Sequence, residues 1–304
     1  MIRRLRQDLF SRIAMTLLLT LGVALTAQGA DLYAVDEATN ELIVIDETTG
    51  DTQSIGPVGF PAVIALAFDT SSGVLYGISR PSGFFSGDLI AINQQTGAGS
   101  FLAPVDYYPA NPGLPTGAAL NLAFDPTTET HVATGGTSLS DFGFYGIDET
   151  SGVGSFIDGI SFSVAGLSFH PFNGRAYIIL NNFLVAKDLF PPAPENDTAI
   201  EIQDLLIFAG LDLIAFDSTG ENLFAIVVTQ SDGTKLATID ATTAALTVIG
   251  GEPSELENVR GIERIPDTLQ APEPTTPVAL MIGTVSLVCR ARRRRTSERP
   301  THDV

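Results

Sequence analysis

The stretch from Ile64 to Ser79 reads I-A-L-A-F-D-T-S-S-G-V-L-Y-G-I-S, which is an apolar run, a polar turn and a second apolar run. Variants of this stretch begin at Leu120, Ala165 and Asp212. Their shared phenylalanine recurs at intervals of 56, 45 and 47 residues, at Phe68, Phe124, Phe169 and Phe216. A repeat of about 45 residues built from short strands is typical of a β-propeller.

Each repeat unit reads as four strands, which we call a, b, c and d. Strand a has the form A-L-A-F-D (65–69), b the form L-Y-G-I (75–78), c the form L-I-V-I-D (42–46) and d the form S-I-G (54–56). Strands b and c alternate in a way that suits strands with two unlike faces. The c–d turns read D-x-x-T-G, where Asp bonds a nearby backbone N–H and Gly supplies a positive φ. These aspartates are therefore interpreted as structural.

The count of strands predicts five blades. Strand b begins five times, at Leu32, Leu75, His131, Ala176 and Leu223. Strand a appears four times before the last unit, and Val259 to Ile265 is in the place of a fifth copy. We therefore expect an all-β fold, a single propeller of five four-stranded blades over residues 30–266, in which the C-terminal strand completes the N-terminal blade. Six blades are the alternative, with a degenerate blade hidden in residues 102–118 or in the fourth repeat.

Residues 1–29 have the three parts of a secretory signal peptide. Arg3, Arg4, Arg6 and Arg12 form a positive start, and Ile13 to Ala27 is almost entirely apolar. Ala27-Gln28-Gly29 then provides small residues before a cleavage site. The apolar run, a predicted helix, is shorter than the ~20 residues that a membrane span needs, so an uncleaved anchor is the less favoured alternative.

Charge restricts the partners of the propeller. Residues 30–274 contain 32 acidic residues and six basic ones, a net charge of −26. Such a surface repels phosphate backbones, so nucleic-acid binding is disfavoured. The single cysteine, Cys289, excludes a disulfide within the chain.

The C-terminal segment is organised differently from the repeats. A short linker, 267–271, leads to Pro272-Glu273-Pro274 and then to the apolar run Val278 to Cys289. An arginine cluster follows, formed by Arg290, Arg292, Arg293, Arg294 and Arg295, and a polar tail occupies 296–304. The arginines are expected to stay cytoplasmic, which places the propeller on the other side of the membrane.

This tripartite segment, 272–295, resembles the PEP-CTERM sorting signal of Gram-negative bacteria that make extracellular polysaccharide. Pro272, Glu273 and Pro274 match its motif residue for residue. The resemblance implies an exosortase-type membrane protease as a partner and transient anchoring in the inner membrane before processing. It also implies a final place at the cell surface or outside the cell, in a biofilm matrix. A permanent single-span anchor is the alternative. The repeats are similar in style to YVTN- and NHL-like propellers, which implies no site residues.

We expect the long connections to gather on one face of the propeller, where binding loops usually lie. In a four-stranded blade the b–c and d–a loops share one face, and here they include 80–87, 135–141, 56–61, 102–117 and 250–258, with the Pro-rich part of the fourth repeat assigned to them. The candidate binding face comprises Phe60, Arg80, Phe84, Phe85, Asp106, Tyr107, Tyr108, Asn111 and Phe142. Exposed rings beside polar groups suit stacking on sugars. The alternative for each ring is packing of its loop onto the propeller.

Catalytic and metal-binding patterns are weak. The propeller has two histidines, His131 at the start of a strand b and His170 at the Asp position of an F-D-P-type turn, and each has a structural explanation. Two isolated histidines make a poor zinc site, and no thiol, P-loop or G-x-S-x-G element occurs in the propeller. No cofactor or metal is predicted, with calcium as a minor alternative. No catalytic residue can be selected among so many carboxylates.

Three functions remain, and the third is a scaffold that binds no small ligand. The favoured one is an exported, non-catalytic propeller that binds polysaccharide or a surface protein. The alternative is a carboxylate-dependent secreted hydrolase, lyase or lactonase. A tight acidic cluster at the channel mouth would favour the enzyme, and an open aromatic face without buried carboxylates would favour the binding protein.

Overall fold

The structure is a computed structural model. It describes residues 31–81, 87–106, 118–136, 142–160, 164–202, 214–229, 233–250 and 253–266. The chain divides into two compact units, Met1–Leu269 and Gln270–Val304, and every described residue belongs to the first. The predicted signal helix, the sorting motif and the apolar C-terminal helix lie outside the described residues.

The described residues form twenty strands arranged as five antiparallel four-stranded blades. Blade 1 contains β1 (Asp31–Asp36), β2 (Glu41–Asp46), β3 (Thr52–Pro57) and β20 (Val259–Arg264). Blade 2 contains β4 (Val63–Asp69), β5 (Val74–Ser79), β6 (Asp88–Ile92) and β7 (Gly99–Pro104). Blade 3 contains β8 (Ala118–Asp125), β9 (Thr130–Gly136), β10 (Gly143–Ile147) and β11 (Gly154–Gly159). Blade 4 contains β12 (Ala165–Phe169), β13 (Ala176–Leu180), β14 (Phe183–Lys187) and β15 (Thr198–Glu201). Blade 5 contains β16 (Ile214–Phe216), β17 (Asn222–Thr229), β18 (Gly233–Asp240) and β19 (Leu246–Gly250).

The turns follow the chemistry that their sequences predict. In the c–d turn of blade 1, Asp46 Oδ1 accepts the N–H groups of Thr48 and Thr49, both at 2.8 Å. Gly50 closes this turn with a φ of 77° and donates its N–H to the Asp46 carbonyl at 2.9 Å. In the a–b turn of blade 2, Asp69 and Gly73 repeat this arrangement. Polar turns of this type separate the apolar runs into strands.

The prediction of five blades closed by the two ends of the chain is confirmed. β20 pairs antiparallel with β1, with Leu32 opposite Arg264 and Asp36 opposite Val259. The fifth inner strand is therefore where the sequence placed it, and it completes the blade that the N-terminal strands begin. The five inner strands, β20, β4, β8, β12 and β16, contact one another in a ring around a central channel.

The hydrophobic core consists of five clusters, one at each interface between neighbouring blades. At the interface of blades 2 and 3, for example, Ala67 and Ile78 of one blade join Phe124 and Tyr145 of the next. Each motif phenylalanine faces the preceding blade, and the small residue before it faces the following one. A blade therefore buries both of its faces only when it has a neighbour on each side.

The Pro-rich part of the fourth repeat lies elsewhere than the sequence indicated. The b–c connection of blade 4 is a tight turn at Asn181 and Asn182, with Asn181 in the left-handed region at φ 56°. The Pro-rich segment instead joins β14 to β15, so it is a c–d loop on the face opposite the predicted binding loops. Lys187 anchors it, because its Nζ lies 2.5 Å from Asp197 Oδ2 and 3.4 Å from Asp158 Oδ2 of blade 3. The prediction failed because no D-x-x-T-G turn follows this strand c.

Helical structure is minor in the part of the chain that the structure describes. A single 3-10 turn covers Pro194–Asn196 in the Pro-rich loop, and helix α1 (Pro253–Leu256) precedes the last strand. Within these described segments, no helix has the length and apolar character that crossing a bilayer requires.

A β-bulge interrupts the register of four inner strands, β4, β8, β12 and β20, and at β20 it brings two backbones close together. In β20 the extra residue is Gly261, since Ile262 pairs with Ala34 and Arg260 with Val35. Gly261 has a φ of 57°, and a Cβ atom on it would lie 2.8 Å from the Leu66 nitrogen. Glycine is required at this point both by the backbone conformation and by the adjacent inner strand.

We expect Gly261→Ala to destabilise the propeller far more than Gly73→Ala. Both positions have a positive φ, so each substitution carries a strain of about 1 kcal/mol. A Cβ at position 73 meets nothing within 4 Å, whereas at position 261 it meets the backbone of β4. Urea unfolding should show a loss of roughly 1 kcal/mol for Gly73→Ala and several for Gly261→Ala. Equal losses would show that the close approach at the channel is unimportant.

Candidate functional site

The candidate site lies at β20, the fifth inner strand, whose sequence differs from the repeat motif of the other four. The registers place Phe68 opposite Leu75 in blade 2 and Arg264 opposite Leu32 in blade 1. Arg264 therefore takes the place of the motif phenylalanine, and Glu263 takes the place of the small residue Ala67. The spacing of the repeat predicts this strand, but Glu263 belongs to none of the motifs that the sequence contains. An alignment of G-I-E-R with A-L-A-F would have shown a glutamate at a position that is otherwise alanine or serine.

These residues border a cleft at the mouth of the channel, on the face of the a–b turns. The cleft encloses about 540 Å³ of space, including the part that is open to solvent. Its lining residues come from all five blades and include both apolar and polar side chains. The residues that line it are Phe68, Thr70, Ala123, Phe124, Pro126, Ser168, Phe169, Pro171, Phe216, Asp217, Ser218, Glu263, Arg264 and Pro266. A narrower cavity of about 210 Å³ is lined farther along the inner strands by residues such as Ile64, Leu122 and Gly261.

Glu263 is the chemically unusual group of the cleft. Its side chain keeps some solvent-exposed surface because it borders the channel. Protein atoms nevertheless surround the carboxyl group. Burial raises the pKa of Glu263 to about 8, and this effect exceeds the opposing influence of the backbone N–H groups of Arg264 and Phe68. The adjacent Arg264 directs its Nε to Glu47 Oε1 at 2.6 Å. At neutral pH Glu263 is therefore mainly a neutral carboxylic acid.

Ser168 occupies the same repeat position as Glu263, in blade 4. Its Oγ accepts the backbone N–H of Phe216, in the next blade, at 3.2 Å. Glu263 of blade 1 has the corresponding partner in blade 2, which is the backbone N–H of Phe68. In both cases a polar side chain accepts a hydrogen bond from a backbone N–H of the next inner strand. That N–H lies on the edge of its sheet, where no further strand pairs with it.

The aspartates of this face are engaged in their turns. Asp217 lines the cleft, and its Oδ1 accepts from the Thr219 N–H at 3.1 Å and the Thr219 hydroxyl at 2.9 Å. Its Oδ2 accepts from the Asn222 amide at 3.0 Å. Burial works against the ionised form of Asp217, but these hydrogen bonds outweigh it and lower the pKa. The pKa of Asp46 is also lowered, chiefly by the Thr48 hydroxyl.

Both histidines have structural roles. His170 occupies the Asp position of its turn, and its Nδ1 accepts the Phe172 N–H at 3.2 Å, as an aspartate oxygen does in the other turns. His131 is buried between blades 2 and 3, with Nδ1 2.8 Å from Glu149 Oε1. The Tyr76 hydroxyl donates to Glu149 Oε2 at 2.9 Å, and burial lowers the pKa of His131. Within the described residues, no group of three or more His, Cys, Asp or Glu side chains is placed to hold a metal ion.

The predicted binding face is described only in part. Phe142 is 4% exposed and Phe60 packs against the cluster between blades 1 and 2, so both rings serve packing. Arg80 and Asp106 are half-buried, and the Asp106 backbone bonds Gly152 and Gly154 of blade 3 at 3.0 and 2.7 Å. The remaining members lie outside the described residues, namely Phe84, Phe85, Tyr107, Tyr108 and Asn111. The most exposed aromatic ring in the described segments is instead Phe172, at 69%, next to Pro171 of the cleft.

Comparison with known proteins supports the fold and goes no further. No family model matches the sequence, and no curated protein matches it. A chain in the crystal structure of a nidogen/laminin complex matches with a TM-score of 0.50 at 11% identity, over 78% of this chain and 98% of that chain. TolB from Acinetobacter baumannii matches at 0.45 and 11%, over 74% of this chain and 53% of TolB. A candidate 6-phosphogluconolactonase from Bacteroides uniformis ATCC 8492 matches at 0.44 and 13%, over 74% and 83% of the respective chains. The chain is a β-propeller, and its similarity to the nidogen/laminin chain concerns the fold alone.

We expect Glu263→Gln to flatten the dependence of stability on pH. Since the folded protein raises the pKa of Glu263 from 4.5 to about 8, the native state holds a proton that the unfolded chain releases. The associated stability is fully present below pH 4.5 and is lost as the pH rises through about 8. The loss is of the order of a few kcal/mol, because one pKa unit corresponds to about 1.4 kcal/mol.

Urea unfolding at pH 5, 7 and 9 measures this effect. The wild-type free energy of unfolding should fall more steeply with pH than that of Glu263→Gln, and Glu257→Gln, at an exposed position, should follow the wild type. Parallel curves for wild type and Glu263→Gln would show that Glu263 ionises as an ordinary surface glutamate does.

Proposed function

We propose that this chain is an exported propeller that binds polysaccharide or a surface protein without catalysis, at the cell surface or in the extracellular matrix. The observation that carries the proposal is the composition of the channel-mouth cleft. Prolines and polar side chains from different blades share its walls, and the motif phenylalanines reach it only with the edges of buried rings. A concave site that combines apolar surface with a few oriented polar groups is the usual form of a ligand site.

The state of the carboxylates favours binding over hydrolysis. Carboxylate hydrolases that cleave glycosidic bonds use two carboxyl groups, one as acid and one as base or nucleophile. Glu263 could serve as the acid, but Asp217 holds its turn through both oxygens. An oxygen that accepts several hydrogen bonds is a poor base, so the cleft residues described do not assemble such a pair.

A carboxylate-dependent hydrolase, lyase or lactonase is the second candidate function, and Glu263 is the observation that favours it. A carboxyl group kept protonated at neutral pH by burial in a cleft is typical of general acids.

The proposed route to the surface rests on the ends of the sequence. The signal-peptide pattern in residues 1–29 supports export, and the PEP-CTERM-like segment 272–295 supports sorting by an exosortase-type protease. Until that processing step, the apolar run would hold the chain in the inner membrane with its arginines in the cytoplasm.

Binding without release is the expected result when the full-length chain, purified in mild detergent, meets the extracellular polysaccharide of the producing organism. The protein should sediment with the polysaccharide, and no oligosaccharide should appear in the supernatant, with or without calcium. Released product would overturn the non-catalytic role and support the second candidate. A chain that stays in solution under all conditions would direct the search to a protein ligand.

Replacement of Pro272, Glu273 and Pro274 by alanine should prevent processing in a host that makes an exosortase. The mutant chain would keep its apolar tail and stay in the membrane fraction, whereas the wild-type chain would lose it. Intact-protein mass measurement distinguishes the two forms, with Asp267→Ala in the linker as the control. Equal processing of all three chains would exclude the motif as a sorting signal.

A further inference from the structure

Blade 4 differs from its neighbours in the a–b turn. In blades 2, 3 and 5 the second residue after the turn aspartate carries a hydroxyl group that bonds that aspartate, at Ser71, Thr127 and Thr219. Phe172 occupies this position in blade 4, and its side chain is 69% exposed. The three polar turns show that closing the turn requires no ring at this position. The exposed ring therefore has no explanation in the folding of the turn.

The c–d loop of blade 4 exposes a second apolar segment on the same face of the propeller. Blades 1, 3 and 5 make this connection with a polar turn around Asp46, Asp148 and Asp240. In blade 4 the loop buries Leu189 in the cluster between blades 3 and 4. Phe190 follows, with 38% of its side chain exposed, and then the exposed Pro191 and Pro192. We define the blade 4 surface as Phe172, Phe190, Pro191 and Pro192.

Arg175 holds the two loops together. Its Nε forms an ion pair with Asp188 Oδ1 at 3.0 Å, and its Nη2 donates to the Asn196 carbonyl at 2.7 Å. His170 fixes the a–b turn, because its Nδ1 accepts the Phe172 N–H at 3.2 Å and the two rings meet edge to face with centroids 5.9 Å apart. Side chains that are already held in place lose little conformational entropy when a partner binds.

The surroundings of the blade 4 surface are acidic. The turns of the two neighbouring blades on this face contain Asp125, Glu129, Asp148 and Glu149 in blade 3 and Asp217, Glu221 and Asp240 in blade 5. In the described turns of blades 3 to 5 on this face, the basic residues are Arg175 and Lys187, and each is paired with an aspartate. The exposed Glu195 adds a carboxylate within the loop of blade 4 itself.

Charge decides which occupant the blade 4 surface fits. The propeller region carries a net charge of −26, so it repels a second copy of this chain and any anionic surface. Exposed apolar side chains bordered by carboxylates are complementary to apolar side chains bordered by lysine or arginine. The partner with that chemistry is a cationic segment of another polypeptide.

We propose that the blade 4 surface docks a cationic, apolar segment of another protein, whose apolar side chains contact Phe172 and Phe190 and whose basic side chains face the carboxylates of blades 3 and 5. This inference deepens the proposed function, on which it rests, because it names the surface and the chemistry of a protein ligand. The surface lies beside the channel-mouth cleft, since Pro171, the residue before Phe172, lines that cleft.

The test measures the affinity of the full-length chain, in mild detergent, for three labelled decapeptides. One alternates leucine and lysine, one alternates leucine and glutamate, and one alternates serine and lysine. Fluorescence anisotropy at low and high salt compares the wild type with Phe172→Ser, Phe190→Ser and Glu195→Gln. Phe172→Ser installs the residue that blade 2 carries at this position, so the turn should still close. Thermal unfolding verifies that each variant is folded.

Matched controls remove the same kinds of side chain elsewhere. Phe101→Ser and Phe156→Ser delete rings that are 53% and 64% exposed on the outer strands of blades 2 and 3. Glu257→Gln removes an exposed carboxylate before β20, at the opposite end of the blades. These variants separate the blade 4 surface from a general attraction of an acidic protein for basic, apolar peptides.

We expect the leucine–lysine peptide to bind at least tenfold more tightly than the other two. Phe172→Ser and Phe190→Ser should each weaken its binding about tenfold, because a few aromatic residues usually carry most of the binding energy of an interface. Glu195→Gln should weaken binding by a smaller factor and reduce its dependence on salt. The three control variants should bind as the wild type does.

Four results would overturn the inference. Equal binding of the serine–lysine peptide, or equal losses in the Phe101 and Phe156 controls, would show a general attraction without a docking surface. Self-association in sedimentation velocity that Phe172→Ser abolishes would assign the surface to a second copy of the chain. If no peptide binds but the chain sediments with the native polysaccharide, the inference fails and the proposed function stands. If the chain binds neither, both fail.

Discussion

The structure depends on one constraint, which is that a blade can bury both faces only between two other blades. Each of the five apolar clusters joins residues of neighbouring blades, so five blades provide five interfaces only when the ring is closed. The pairing of β20 with β1 supplies that closure. The small residue and the phenylalanine of four inner strands follow from the same constraint, since a small residue on one blade leaves room for the ring of the next.

The polar side chains beside the channel lie at the positions where an inner strand differs from the repeat motif. Alanine at the position before the phenylalanine becomes serine in blade 4 and glutamate in blade 1, and the phenylalanine itself becomes arginine at Arg264. Each change introduces a polar group beside the channel, where an inner sheet edge offers backbone N–H groups as partners. A regular repeat would place only alanine and phenylalanine at these positions. The departures place Ser168, Glu263 and Arg264 along the cleft instead.

The fold was largely predictable from the sequence, whereas the site was not. Spacing of the motif phenylalanines and the offset between Leu32 and Val259 were enough to predict five blades and their closure, because repetition amplifies a weak local signal. The Pro-rich loop was misplaced since the turn after Lys187 lacks the Asp and Gly that mark the others. Glu263 escaped notice because its unusual property comes from burial by strands that are distant in sequence. A pattern of residues along the chain does not report that environment.

The closing contact also determines when this protein can fold. Leu32 and Arg264, which face each other across it, are separated by more than 200 residues. Until the last strand is available, β1 lacks its inner neighbour and the first and last blades each leave an apolar face uncovered. Contacts between such distant residues form slowly, and uncovered strand edges invite pairing between chains. The propeller therefore reaches its protected state only after almost all of its sequence has been delivered, so the N-terminal blade spends the longest time incomplete.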